Sequence, residues 1–184
     1  MEPDLTNLIV ERYQRSHQLL IQVSQRIRAD DFSRPIGSVA SLRADWQVWH
    51  VARWSDSFTV GLVSDMPAHV SHVVPQQVWH EQKLEAAWGL SSIALGEEDA
   101  GTGLDDDATA TLSLPRKAKV LAYARRVFER EHAAIASVID ALQGTRVFGD
   151  VVEALLSNLD HDNRHLGMLE AVVGTLQAHG SADD

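Results

Sequence analysis

The sequence predicts an all-α protein, a four-helix bundle with a long crossover between its second and third helices. Three observations carry this. Four long segments repeat apolar residues at spacings of three and four, the mark of a helix with one buried face. No stretch shows the alternation of a half-buried strand, and no internal repeat is present. Residues 64–114, with two prolines, four glycines and an acidic run, separate the second helical segment from the third. Four amphipathic helices with one long connection make a bundle, and 1–184 reads as a single domain.

The first helix is expected from about Asp4, a candidate N-cap after Pro3, to Arg28, with Leu5, Leu8, Ile9, Leu20, Val23 and Ile27 inward. Pro35 and Gly37 in "DDFSRPIG" then break the chain. The second helix is expected from about Ser41 to Val63, through "DWQVWHVARWSDSFTVGL", stopping before Pro67. In the crossover only "PQQVWHEQKLEAAWGL" reads as a short helix, opened by Pro75. Asp105, Asp106 and Asp107 lack the spacing, central glycine and closing glutamate of a calcium loop and are expected to be a solvated loop. The third helix runs from Leu114 or Pro115 to about Leu142, with Val120, Leu121, Ala124, Val127, Phe128, Ile135, Val138 and Leu142 inward, and Gly144 ends it. The fourth runs from about Gly149 to Ala178, closed by Gly180, with 179–184 as a frayed tail.

Composition narrows the function. A net charge of −10 disfavours nucleic acid and anionic membrane surfaces, which need clustered Lys and Arg. No apolar run approaches the roughly 20 residues of a membrane span. The acidic start "MEPDLTNLIVERYQ" lacks the order of a secretory signal, and a cytoplasmic location is expected. The absence of cysteine removes disulfides, thiolate metal sites and a cysteine nucleophile together. Nine histidines is the unusual count, and it points to metal or proton chemistry.

The stretch "LDHDNRHLGMLE" holds the strongest motif. At about 100° per residue, His165 lies about 40° from His161, on the apolar stripe of the fourth helix together with Met168, Ala154 and Val172. Asn158 and Asp162 share that stripe. Imidazoles at i and i+4 reach one ion at about 2.0–2.1 Å. In "WQVWHVARW" the second helix offers His50 as a third ligand, on a face with Trp46, Trp49, Arg53, Trp54 and Ser57. The alternative is a hydrogen-bonded polar layer without metal. A zincin protease is excluded, because HDNRH has Asp162 where that motif needs glutamate. His69, His72 and His80 fall in the crossover, with His80 able to cover the site; His132 is expected to bond locally, and His17 and His179 carry no signal.

A histidine in the second helix, then "HDNRHLG" in the fourth, together resemble the DinB/YfiT-like group of small four-helix bundle proteins. The crossover "WGLSSIALGEEDAGTGLDDDATATLSLPRKAKVLAYARRV" extends the likeness over nearly the whole chain. The resemblance implies that His50, His161 and His165 bind a divalent metal, nickel or zinc, with water in the open positions. It also implies a small-molecule substrate, a thiol cosubstrate such as mycothiol, bacillithiol or glutathione, and a homodimer, which the tryptophan-rich second helix would suit. Arg164 and Met168 stand where many relatives have His and Gln.

Three neutral imidazoles leave an ion its full charge and an open position. The expected chemistry is thiol-dependent S-transfer or isomerisation, with a metal-bound thiolate or water as the reacting group and no protein side chain assigned to that step. A hydrolase using bound hydroxide, or a non-catalytic stress protein that binds metal or a small ligand, are the alternatives. Asp162 is a candidate acceptor for an imidazole N–H, or else caps or pairs with an arginine, and Asn158 is a candidate behind the ligands or at the substrate. Arg53 meets either a substrate carboxylate or a salt bridge within the bundle, Trp49 is a candidate at the site, and Trp79 and Trp88 are pocket walls or core anchors.

Overall fold

The computed structural model describes residues 5–64, 66, 76–91 and 93–180; the expectations for Asp4, Pro75, His69, His72 and the last four residues of the tail lie outside them. The described residues are all-helical, with isolated bridges at Ile36–Val39 and Glu97–Thr102 and no strand. Four long helices dominate: α1 (Leu5–Arg26), α2 (Ala44–Ser64), α6 (Lys117–Leu142) and α7 (Phe148–Gly180). Three short ones, α3 (Val78–Glu81), α4 (Leu84–Ala87) and α5 (Asp106–Thr111), lie in the crossover. Helices α2 and α6 pack most extensively; α1 lies against α6 and α7, and α2 also meets α7. The thin contacts are α1 with α2 and α6 with α7, so these are the diagonal pairs.

Helix α1 buries Ile9, Tyr13, Ser16, Leu20 and Val23, at alternating steps of four and three, and Ile27 continues the series. Leu5 and Leu8, expected inside, are exposed; they fall off this stripe, and apolar character alone does not bury them. The Lys117 ammonium closes the end of α1 by donating to the carbonyls of Ile27 and Gln25, at 2.5 and 3.1 Å, where helix carbonyls have no partner of their own.

Helix α2 has no solvent face in its first half. Every residue from 43 to 53 is buried, because the crossover covers the side that α6 and α7 leave open. Gly101 makes that approach possible. Its φ is +88°, and a Cβ there would lie 3.0 Å from the Trp49 ring and 3.2 Å from Trp46. Of the tryptophans expected to suit a dimer face, Trp46 and Trp49 are inside under the crossover, and Trp54 is partly exposed.

The crossover differs from the single short helix expected there. Lys83 adopts φ 50°, which splits the segment into the one-turn helices α3 and α4. The Asp56 carboxylate of α2 accepts from the Val78 and Trp79 amides, both at 2.9 Å, and so starts α3. The acidic run is solvated as expected but is the start of a short helix and not a loop. Asp105 caps α5 by accepting from the Ala108 amide at 2.8 Å, and Asp106 accepts from the Ala40 amide at 3.1 Å. Carboxylates at a helix start are favoured by its unpaired amides and dipole.

Three apolar clusters fill the described interior, the smallest of them Val63, Ala134, Val138 and Leu142 between α2 and α6, and the other two lie on either side of a polar layer. One holds Leu20, Val23, Phe128, Leu166 and Leu169; the other holds Ile9, Tyr13, Ile135, Leu155 and Leu159. On every long helix the boundary between them is polar: His17 on α1, Arg53, Ser55 and Asp56 on α2, Glu131 on α6, and Asn158 and Asp162 on α7. This buried polar layer positions the site.

Candidate metal centre

The structure brings His50, His161 and His165 together. Their nearest ring nitrogens all lie within 4.8 Å of one another, and the ring centroids are 4.5–5.2 Å apart. Helix α7 supplies two rings from the edge of its buried stripe. The centre of that stripe is Leu155, Asp162 and Leu169, while Ala154 and Met168, expected inward, are exposed. Edge placement keeps His161 15% exposed and leaves His165 partly so. His50, on α2, is buried.

What decides the chemistry is which nitrogen of each ring is free. His50 Nδ1 lies 2.5 Å from the Ala100 carbonyl, which only accepts, so Nδ1 carries the proton and donates. His165 Nδ1 donates to Gln47 Oε1 at 2.6 Å; the Gln47 amide is itself oriented by donating to the Ser41 carbonyl at 2.6 Å. His161 Nδ1 donates to the Asp162 carboxylate at 3.3 Å. All three rings therefore hold their proton on Nδ1 and turn an Nε2 lone pair toward the others. His50 Nε2 and His161 Nε2 face each other at 3.2 Å. Two lone pairs at that distance repel unless a cation stands between them. Three imidazoles so placed are a donor set that could hold a metal ion.

Electrostatics keep His165 and His50 neutral. Burial, with the neighbouring histidine charges, pushes His165 down to about 3. Burial lowers His50 to about 4, against the bond from Ala100, which favours the charged form. Asp162 is fully buried; burial opposes its charge, but the bonds from His161 and His17 outweigh it and hold its pKa below the usual carboxylate value.

Searched against family models, curated proteins and solved structures, the chain matches none of them.

The supporting residues sort differently from expectation. Asp162 does lie behind an imidazole, and its other oxygen meets His17 Nε2 at 3.0 Å. Asn158 contacts no imidazole. It accepts from Trp54 Nε1 at 2.9 Å and donates to Glu131 Oε1 at 3.0 Å and the Tyr13 hydroxyl at 3.2 Å. Arg53 is fully buried and has no donor facing open space. It binds the carbonyls of Asp99 and Glu98, Gln77 Oε1 and the Asp56 carboxylate, which is the salt-bridge reading and leaves nothing for a substrate carboxylate. Trp49 is sealed beneath Gly101 and is no substrate contact. Trp79 and Trp88 pack on each other and on Tyr123, with Arg53 over the Trp79 ring, so they anchor the crossover and do not wall the site. His80 is exposed on α3. The rings that flank the trio are Trp46, stacked on His50 at 4.6 Å, and Trp54, stacked on His161 at 5.1 Å.

Four participants escaped the sequence reading: Gln47, Ala100, His17 and Glu131. Ala100 is a backbone carbonyl and leaves no side-chain signal. Glu131 had one, because the inward series of α6 skips from Phe128 to Ile135 and the missing position between them is 131. His132 does not bond locally; its Nε2 lies 2.9 Å from His17 Nδ1, across to α1.

Proposed function

We propose that this chain is a metal-dependent enzyme of the DinB/YfiT-like type, a four-helix bundle holding nickel or zinc on His50, His161 and His165. The reaction is S-transfer or isomerisation with a low-molecular-weight thiol. The observation that supports this most is the set of three Nδ1 protons, each fixed by an oxygen acceptor, with three Nε2 lone pairs converging at the edge of the polar layer. When bound, the ion supplies Lewis acidity that brings the ionisation of a coordinated thiol or water toward neutral pH.

The chain supplies the rest. Neutral ligands leave the ion's charge undiminished, and the Asp162 carboxylate behind His161 strengthens that ring as a donor. Trp46 and Trp54 bound the trio with aromatic faces that keep water from two sides, and the partial exposure of His161 and His165 gives a small molecule its approach. The sulfur must come from outside, because the chain has no cysteine.

The test is an assay of tag-free protein loaded with zinc or nickel, using an aryl halide or an α,β-unsaturated acid as electrophile. Glutathione, bacillithiol and mycothiol are each compared with no thiol. The expected result is thioether formation or isomerisation that needs metal and thiol together and is lost in His161→Ala. Ester hydrolysis independent of thiol would replace this reading with the hydrolase, and no turnover of either kind would leave a ligand-binding protein. A homodimer belongs to the same proposal, with exposed Leu5, Leu8, Leu19 and Leu156 of α1 and α7 as its apolar surface; light scattering at twice the monomer mass is the expected result.

A further inference from the structure

A second group of metal-type donors lies deeper in the polar layer. His17 of α1, Glu131 of α6 and Asp162 of α7 each bring one ligand atom within 4.8 Å of the others. All three are buried, at 2%, 0% and 0% exposure. We propose that these residues form a second, structural divalent-cation site that ties α1, α6 and α7 together beneath the three-histidine centre.

Three observations carry this. The first is how the other atom of each ligand is held. His17 Nδ1 lies 2.9 Å from His132 Nε2, Glu131 Oε1 accepts from Asn158 at 3.0 Å, and Asp162 Oδ1 accepts from His161. The remaining atoms, His17 Nε2, Glu131 Oε2 and Asp162 Oδ2, face one another, with His17 Nε2 and Asp162 Oδ2 in hydrogen-bond contact at 3.0 Å where an ion would replace the shared proton. Outer hydrogen bonds that orient a ligand are a regular part of metal sites.

The second is an orphan. Glu131 Oε2 is buried with no donor in good hydrogen-bond geometry, and the Ser55 hydroxyl, close enough to favour the Glu131 charge, is itself unpartnered; a buried carboxylate oxygen so poorly satisfied is costly. It lies 3.7 Å from His17 Nε2, and Asp162 Oδ2 lies 3.0 Å from the same nitrogen. These values straddle the edge of about 3.4 Å expected for a tetrahedron of donors about 2.1 Å from zinc. A small inward shift of Glu131 completes the site.

The third is charge. Among the described residues, Glu131 and Asp162 pair only with histidines, and no Lys or Arg reaches either. Two buried carboxylates need a compensating cation. A divalent ion neutralises both, whereas a proton on Glu131, whose pKa burial and the Asp162 charge raise well above the usual range, neutralises one. With the ion on Nε2, the His17 proton would move to Nδ1 and be donated to His132. A groove of about 380 Å3 between α1 and α6, with His17, Phe128 and His132 on its wall, gives the ion a way in.

Zinc stoichiometry of tag-free protein tests the proposal, by elemental analysis after equilibration with zinc alone and removal of excess. The wild type is expected to hold two equivalents, and His50→Ala/His165→Ala and Glu131→Gln one each. Circular dichroism checks that each variant is folded. One equivalent in the wild type and none in folded His50→Ala/His165→Ala would overturn the second site and leave the first intact. Zinc retained by His50→Ala/His165→Ala but lost from Glu131→Gln would uphold the second site while sinking the three-histidine one. Should Glu131→Gln fail to fold, the double histidine variant decides alone, since its polar layer is that of the wild type.

Discussion

At the scale of single residues, the account rests on where three protons sit. Gln47 is the most informative side chain, because it fixes the His165 tautomer without touching the proposed ion. Gln47→Leu keeps the volume and removes the acceptor. Zinc affinity in a chelator competition is expected to fall about 10–100-fold with the helical content unchanged. The depressed histidines set a pH dependence. His50 and His132, at about 4, and His165, at about 3, are neutral in the folded protein but titrate near 6.5 once unfolded. Between those values the three rings bind more protons in the unfolded chain, which outweighs the opposing pull of Glu131 and Asp45, whose values burial raises in the folded state, so stability rises with pH there. The metal-free protein is thus expected to lose melting temperature steadily as pH falls from about 6.5 to 4. A flat profile would mean that these rings are not buried as described.

At the scale of elements, the crossover is part of the site. Its segment around Gly96–Gly103 supplies the Ala100 carbonyl to His50 and the Glu98 and Asp99 carbonyls to Arg53, and Gly101 lets it close on the tryptophans. Gly101→Ala puts a methyl into the Trp49 ring at a positive φ, and is expected to cost about 1–3 kcal/mol in urea unfolding and to weaken metal binding. Arg53→Met leaves Asp56 buried without its cation and is expected to cost about 3–5 kcal/mol. The long helices were legible because their apolar periodicity is a local signal: the termini expected for the third and fourth helices fall within a few residues of Lys117–Leu142 and Phe148–Gly180. The crossover was not, because α3 starts on a carboxylate from α2 and α2 hides under a loop, and both are contacts across distance.

At the scale of the whole molecule, one polar layer divides the apolar interior and carries both histidine groups. The inward H-x3-H pair made half of this readable, since a histidine on a buried stripe demands a partner. The other half was harder to read: His17 sits on a helix whose pattern looks complete without it, Glu131 marks only a gap in the inward series of α6, and the assembled layer shows what they face. The central claim is that the three Nε2 atoms of His50, His161 and His165 share one cation. Anomalous diffraction at the zinc edge from zinc-loaded crystals tests it most directly. The account predicts a peak about 2.0–2.1 Å from all three nitrogens, whereas a map with no density between those rings, in a crystal that holds zinc elsewhere, would contradict it.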